Sequence, residues 1–160
     1  MATDIFAKIG TILGDSTDVK HKNEIDVLSW AWGVTQSGTM AHGGGGGAGK
    51  ANFNDLTFTH QVDKATPLLL KSCATGSHIP EATITVRKAG KGQQEYLIIK
   101  MSDVLITGVA MSVAVDGPTS AENVTLQFAK VDLEYRPQKA DGSLEPGIHF
   151  KYDIKANKVG

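Results

Sequence analysis

The chain has 160 residues, with 16 basic and 17 acidic side chains and a formal net charge of −1. Hydrophobic residues make up 41% and charged residues 21%, the balance of a folded domain rather than of a disordered tail. That charge offers nucleic acid no basic footprint, no apolar run reaches the ~18 residues that insert in a membrane, and the length predicts one domain over 1–160.

The first stretch, "MATDIFAKIGTILGD", lacks a basic region followed by an apolar one, so no cleaved signal peptide is expected. Cys73 is the only cysteine and has no internal disulfide partner. The chain is therefore expected to be made in a cytoplasm and, if it is exported, to leave by a route that needs no cleaved leader.

"GDSTD" (14–18) offers the carboxylates of Asp15 and Asp18. A carboxylate pair can serve as acid and base, but this stretch is rich in turn-formers, which predicts side-chain-to-backbone hydrogen bonds instead. His21 and Glu24 stand three apart in a polar segment that enters a strand, and they read as turn residues rather than metal ligands. The other histidines, His42, His60, His78 and His149, form no HxH or HxxxH pair with one another or with His21.

"EIDVLSWAWGV" alternates with a period of two, hence a strand. Leu28, Trp30, Trp32 and Val34 share one face, expected to be the core. Ile25, Val27, Ser29, Ala31 and Gly33 share the other. Two tryptophans among apolar neighbours, with no basic patch beside them, read as packing rather than as a stacking platform for bases.

"HGGGGGAGKANF" (42–53) contains Gly44, four residues, then Gly49 and Lys50, the spacing of a phosphate-binding loop. The closing position is Ala51, so the hydroxyl that would ligate magnesium is missing. "NFNDLTFTHQV" then alternates like a strand, whereas a phosphate loop needs a helix start whose amides face the anion. Consecutive glycines also make a flexible chain rather than a preorganised cradle. The expectation is a long hairpin loop over residues 37–52. At this length such a loop is a candidate for function, with Gly38, His42, Gly43, Gly44, Gly45, Gly46, Gly47 and Lys50 as its contact residues.

"DKATPLLLKSCATG" (63–76) predicts the one helix, with Thr66 as cap, Pro67 at the first helical position and Gly76 closing the end. Cys73 inside it reads as a packed helix residue rather than a nucleophile. "EATITVRKA" (81–89) and "QEYLIIKM" (94–101) read as strands joined in a hairpin. "DVLITGVAMSVAV" (103–115) is a further strand with a bulge or bend at Gly108. In "ENVTLQFAKVDLEYRPQ" the apolar positions change parity from Val124, Leu126 and Phe128 to Val131, Leu133 and Tyr135, which predicts a bulge near Ala129–Lys130. "IHFKYDIK" (148–155) puts Ile148, Phe150, Tyr152 and Ile154 on one face. About eight strands and one short helix predict a mostly antiparallel barrel or sandwich. No catalytic constellation, metal set or cofactor motif stands out, which leaves a binding or structural protein.

Four stretches together resemble the haemolysin-coregulated proteins (Hcp) of bacterial type VI secretion systems. These are "GDSTDVKHKNEIDVLSWAWGVTQSG", "DLTFTHQVDKATPLLLKSCATGSHIPEATITVRKAG", "EYLIIKMSDVLITGV" and "ENVTLQFAKVDLEYRPQKADGSL". "HIPEATITVRKAG" and "FAKVDLEYRPQKADG" are the most specific of them. The resemblance implies a mainly β fold, a small antiparallel β-barrel of two sheets with one short flanking α-helix. It implies homohexameric rings stacked into a secreted tube inside a contractile sheath, tipped by a spike protein and able to carry small effector proteins in its lumen. It implies no enzyme activity and no cofactor. Ser29 and Ala31 become candidates for the lumen or a subunit joint, and Ala31 stands where many members of the family have Ser. Some members continue into a toxin domain; a chain ending at Gly160 is expected to be the tube module alone. The competing expectation is a monomeric β-barrel holding a small ligand inside.

Overall fold

The computed structural model describes residues 2–38, 48–89, 92–117 and 120–160. In chain order the strands are β1 (Thr3–Ile9), β2 (Ile25–Ala31), β3 (Val34–Gly38), β4 (Ala48–Phe53) and β5 (Leu56–Gln61). Helix α1 (Thr66–Thr75) follows, then β6 (His78–Lys88), β7 (Glu95–Ser112), β8 (Ala121–Tyr135), β9 (Ile148–Asp153) and β10 (Lys158–Val159).

Six strands close on themselves in the order β8-β5-β2-β1-β6-β7, with β7 returning to β8, and every ladder is antiparallel. Closure pairs both sides of most of these strands and, among the described residues, leaves free edges where a ladder stops short, at the end of β2 and the end of β7. β8 is long enough to serve two partners along one edge, β5 against Ala121–Leu126 and β9 against Lys130–Tyr135. Among the described residues β3 and β4 pair only with each other, as a separate two-stranded arm.

The barrel is filled by side chains. Leu56, Phe58, Ile84, Ile99, Met101 and Leu126 meet at its centre with no exposed surface. Burying each such side chain contributes about 1.5–3 kcal/mol. At one end α1 seats Leu69 on this core and turns Leu68 and Leu70 outward.

Several local readings are revised. α1 starts at Thr66, one residue before the expected position, and Ala65 is its cap residue without a side-chain hydrogen bond. The work of a cap is done nearby: Asp63 accepts from the Ala65 amide at 2.8 Å, and its own amide donates to Thr66 Oγ1 at 3.1 Å. Gly76 closes the helix at φ +62°, the conformation glycine adopts without a Cβ clash. The segments 94–101 and 103–115, read as two strands, merge into one continuous strand, β7, which begins at Glu95 and ends at Ser112. Its bulge falls between Ile106 and Gly108, as the glycine suggested. Near Ala129 the β7–β8 register runs on without a shift. Instead Asp103 enters the left-handed region at φ +55°, opposite Ala129, and both strands change face together. Met101 and Val104 are buried on one strand, Val131 and Phe128 on the other.

Candidate functional site

The outward side of β2, β5, β8 and the end of β7 is built in rows by the strand register. Ser29 lies beside Thr59, Thr59 beside Asn123, and Asn123 beside Ala110. The next row runs Ala31, Thr57, Thr125, Gly108. In "LTFTHQ" and "ENVTLQF" the large apolar residues alternate with Thr, Asn and Gln, so filling the core turns the small polar set outward. None of the eight residues in these rows is charged, in a chain where 21% of residues are. The polar groups also satisfy one another across strands: Thr59 Oγ1 donates to Asn123 Oδ1 at 2.6 Å, and Thr57 and Thr125 hydroxyls lie 3.4 Å apart. The result is an outer face that carries no charge and no large apolar side chain in these two rows.

Two strand edges bound this face. β1 pairs with β2 only at Ile25 and Asp26. The β6–β7 ladder ends at His78 and Leu105. Among the described residues no strand pairs with Val27–Ala31 on the side away from β5, or with Ile106–Ser112 on the side away from β8. Unpaired edges are templates for another chain. Exposed apolar side chains stand at both: Leu28 at 55% on β2, and Met111 at 51% and Val113 at 71% at the end of β7.

The four residues expected to form a core face on β2 are not equivalent. A register shift between Val27 and Ser29 inserts one residue, Leu28, and reverses the parity of the strand. Ile25 and Val27, expected on the other face, are in the core, and Leu28 is exposed. Beyond the shift Trp30 and Trp32 pack half-buried against the core, which leaves Ser29 and Ala31 exposed between them. Trp32 Nε1 donates to the Asn54 carbonyl at 2.9 Å, and its ring lies 6.1 Å from Phe53 and 5.9 Å from Phe128. Val34 opens the β3–β4 arm, where it is 49% exposed, so it too leaves the expected core set.

Gly38 ends β3 and faces Ala48 across the arm. Lys50 is exposed inside strand β4 rather than at a helix start. His42, Gly43, Gly44, Gly45, Gly46 and Gly47 lie outside the described residues.

Two titratable clusters were not legible in the sequence. Arg87 on β6 is 2% exposed and donates to Asp18 and, at 3.2 Å, to Asp4. The guanidinium holds Asp18 well below the usual carboxylate range, at about 2, helped by the Lys20 and His21 amides, while burial opposes it. Asp15 makes no part of this set; Asp18 acts as a turn residue and ion-pair partner rather than as half of a catalytic pair. The second cluster is His60 on β5 and Glu122 on β8, register neighbours with no exposed surface, joined Nε2 to Oε1 at 2.7 Å beneath Thr66. Among the described residues no group of three or more His, Cys, Asp or Glu is placed to hold a metal ion, and no helix is long and apolar enough to cross a membrane.

The fold thus defines a class: a six-stranded antiparallel barrel with one helix and a small two-stranded arm, filled at its centre and distinctive on its outer faces. The sequence signature described as "Type VI secretion system effector, Hcp" matches residues 6–135. Protein hcp1 of Pseudomonas aeruginosa is 49% identical over 159 residues, 98% of each chain. The solved structure of Hcp1 from Salmonella typhimurium is 41% identical, covers 99% of each chain and superposes with a TM-score of 0.79. A structure described as a type six secretion system protein superposes with a TM-score of 0.92 at 28% identity, over 98% of this chain and 99% of that one. The chain belongs to the Hcp family of type VI secretion system proteins.

Proposed function

We propose that the chain is the repeating unit of the inner tube of a type VI secretion system. Six copies join head to tail into a ring, rings stack into a tube, and the tube is secreted without a cleaved leader and carries small effector proteins in its lumen. The contractile sheath and the spike protein are its other partners. The observation that carries this reading is the uncharged outward face between two unpaired strand edges. Joining the β2 edge of one copy to the β7 edge of the next uses both edges and ends growth in the plane when the ring closes. It also covers Leu28, Met111 and Val113 and turns the neutral face, with Ser29 and Ala31, toward the central channel. A wall of mutually hydrogen-bonded hydroxyls and amides offers passing cargo neither fixed charge nor apolar grip. The β3–β4 arm and the Gly38–Lys50 segment it carries provide the contact between rings.

The monomeric carrier loses support from the same structure. Its ligand would need an internal cavity, and the barrel interior is packed with Phe58, Met101 and their neighbours.

Size-exclusion chromatography with light scattering tests the reading. A ring of six 16.9 kDa chains gives about 100 kDa. Val113→Lys and Leu28→Lys should give folded subunits that no longer form it. Reducing Gly43–Gly47 to two glycines should keep the ring and weaken tube formation, seen by electron microscopy. A wild-type monomer at micromolar concentration would overturn the proposal.

A further inference from the structure

His21 is held with a carboxylate on each ring nitrogen. It lies at the end of the segment that leads from β1 to β2 and is 8% exposed. Nδ1 is 2.9 Å from Glu24 Oε2, and Nε2 is 2.7 Å from Glu95 Oε1 at the start of β7. A neutral imidazole has one N–H and one lone pair. With both carboxylates ionised, the neutral ring can donate to one of them and must set its lone pair against an oxygen of the other. Only the imidazolium donates to both.

The His21 ring is held in place by stacking on Phe6 of β1 at 4.4 Å and 10°, and the Arg87 guanidinium lies over the same Phe6 ring at 4.8 Å. The charged groups around His21 come from every packed element. They are Glu24 and the flanking Lys20 and Lys22 in the segment itself, Glu95 on β7 with Arg136 also acting on it, and Arg87 on β6 with its partners Asp4 and Asp18.

We propose that His21 is a proton-operated latch holding the segment before β2 to the start of β7. With the proton present, one side chain ties Glu24 to Glu95. When it is lost, one of the two contacts turns repulsive, and Glu95, whose side chain is 27% exposed, swings into water. The segment then keeps the Arg87–Asp18 ion pair, the Lys64–Asn23 hydrogen bond and the stacking on Phe6; the ion pair does not titrate in the same range, because Asp18 ionises near 2. The latch concerns the subunit alone and does not depend on ring formation.

The test uses the full chain with 15N-labelled histidine. At pH 6 both His21 ring nitrogens should carry protons, and at pH 8.5 only one. Hydrogen exchange of residues 15–24, corrected for intrinsic rates, should lose about tenfold protection over that interval, the response of about 1.4 kcal/mol of coupling. Glu95→Gln replaces the distal carboxylate by an amide whose NH₂ can donate to a neutral ring, so its pH response should be much smaller while the fold is kept. His21→Gln should abolish the response. Finding a single N–H on His21 at pH 6, or equal protection at both pH values in the wild-type chain, would overturn the proposal.

Discussion

Removing Arg87 should cost more than any surface charge and should change how the protein responds to acid. Its guanidinium is 2% exposed and meets Asp18 and Asp4. Breaking a buried ion pair by deleting one partner typically costs about 3–5 kcal/mol. Here the abandoned carboxylates keep some access to water, Asp4 at 39% and Asp18 at 18%, which puts Arg87→Met at about 3 kcal/mol. In a chain of 160 residues that is a fall in Tm of about 6–12 °C. The pH dependence follows from Asp18, whose carboxyl titrates at about 2 in the folded state against an ordinary 3.8. A depressed carboxylate contributes stability that is complete above the ordinary value and is lost as pH falls through the folded one. Wild-type stability should therefore drop between about pH 4 and 2, and Arg87→Met should flatten this drop. Urea unfolding at fixed protein concentration, at pH 7 and across pH 4 to 2, measures both effects; the concentration must be held because association adds to apparent stability. A loss below about 1 kcal/mol at pH 7, the range of solvent-exposed pairs, or an unchanged acid profile would refute the reasoning.

Gly14→Ala should destabilise by about 1–3 kcal/mol in the same unfolding assay, because a Cβ there would stand 2.6 Å from the Glu24 carbonyl and 2.8 Å from Ile25 Cα, both backbone. At Asp103, with φ +55°, alanine should lower stability by about 1 kcal/mol while glycine stays within about 0.5 kcal/mol of wild type, and equal losses would mean that the side chain rather than the backbone matters. Ala31→Glu places a charge on the neutral face at an exposed position; the subunit should unfold within about 0.5 kcal/mol of wild type, while ring formation or effector retention measured by co-purification should change. Loss of the folded subunit would place Ala31 in the core instead.

Much of the barrel was legible because its strands alternate strictly. "EATITVRKA" and "QEYLIIKM" fall in β6 and β7 and pair as a hairpin from Arg87–Glu95 onward. β1 was harder. Phe6 and Ala7 are adjacent in sequence and both buried, Ala7 in the barrel and Phe6 beneath His21 and Arg87. A strand covered on both sides has no alternation to read. The parity change at Phe128–Val131 was visible, but its mechanism was not. A bulge in β8 alone and a paired change of face with β7 leave the same pattern in one strand, and only the left-handed Asp103 on the partner separates them.

The assembly surfaces follow the same logic one step further out. A period of two says which residues of a strand share a face, but one inserted residue exchanges the faces from that point on. On β2 that residue is Leu28. Ahead of it the odd positions Ile25 and Val27 fill the core; after it the even positions Trp30 and Trp32 pack half-buried against it, and Ser29 and Ala31 are exposed. No property of Leu28 as a leucine marks the insertion. The mark is its position against β5, where Val27 meets His60 and Ser29 meets Thr59, two steps on one strand against one on the other. The uncharged face was hidden for a related reason. Thr57, Thr59, Asn123 and Thr125 look like ordinary polar positions of separate strands, and their common character appears only when the ladders lay them side by side with Ser29 and Ala31. The ion clusters lie further still from sequence reach. Arg87 and Asp18 are 69 residues apart, and His60 and Glu122 are 62 apart; each pair is made by barrel closure, and local spacing carries no trace of it.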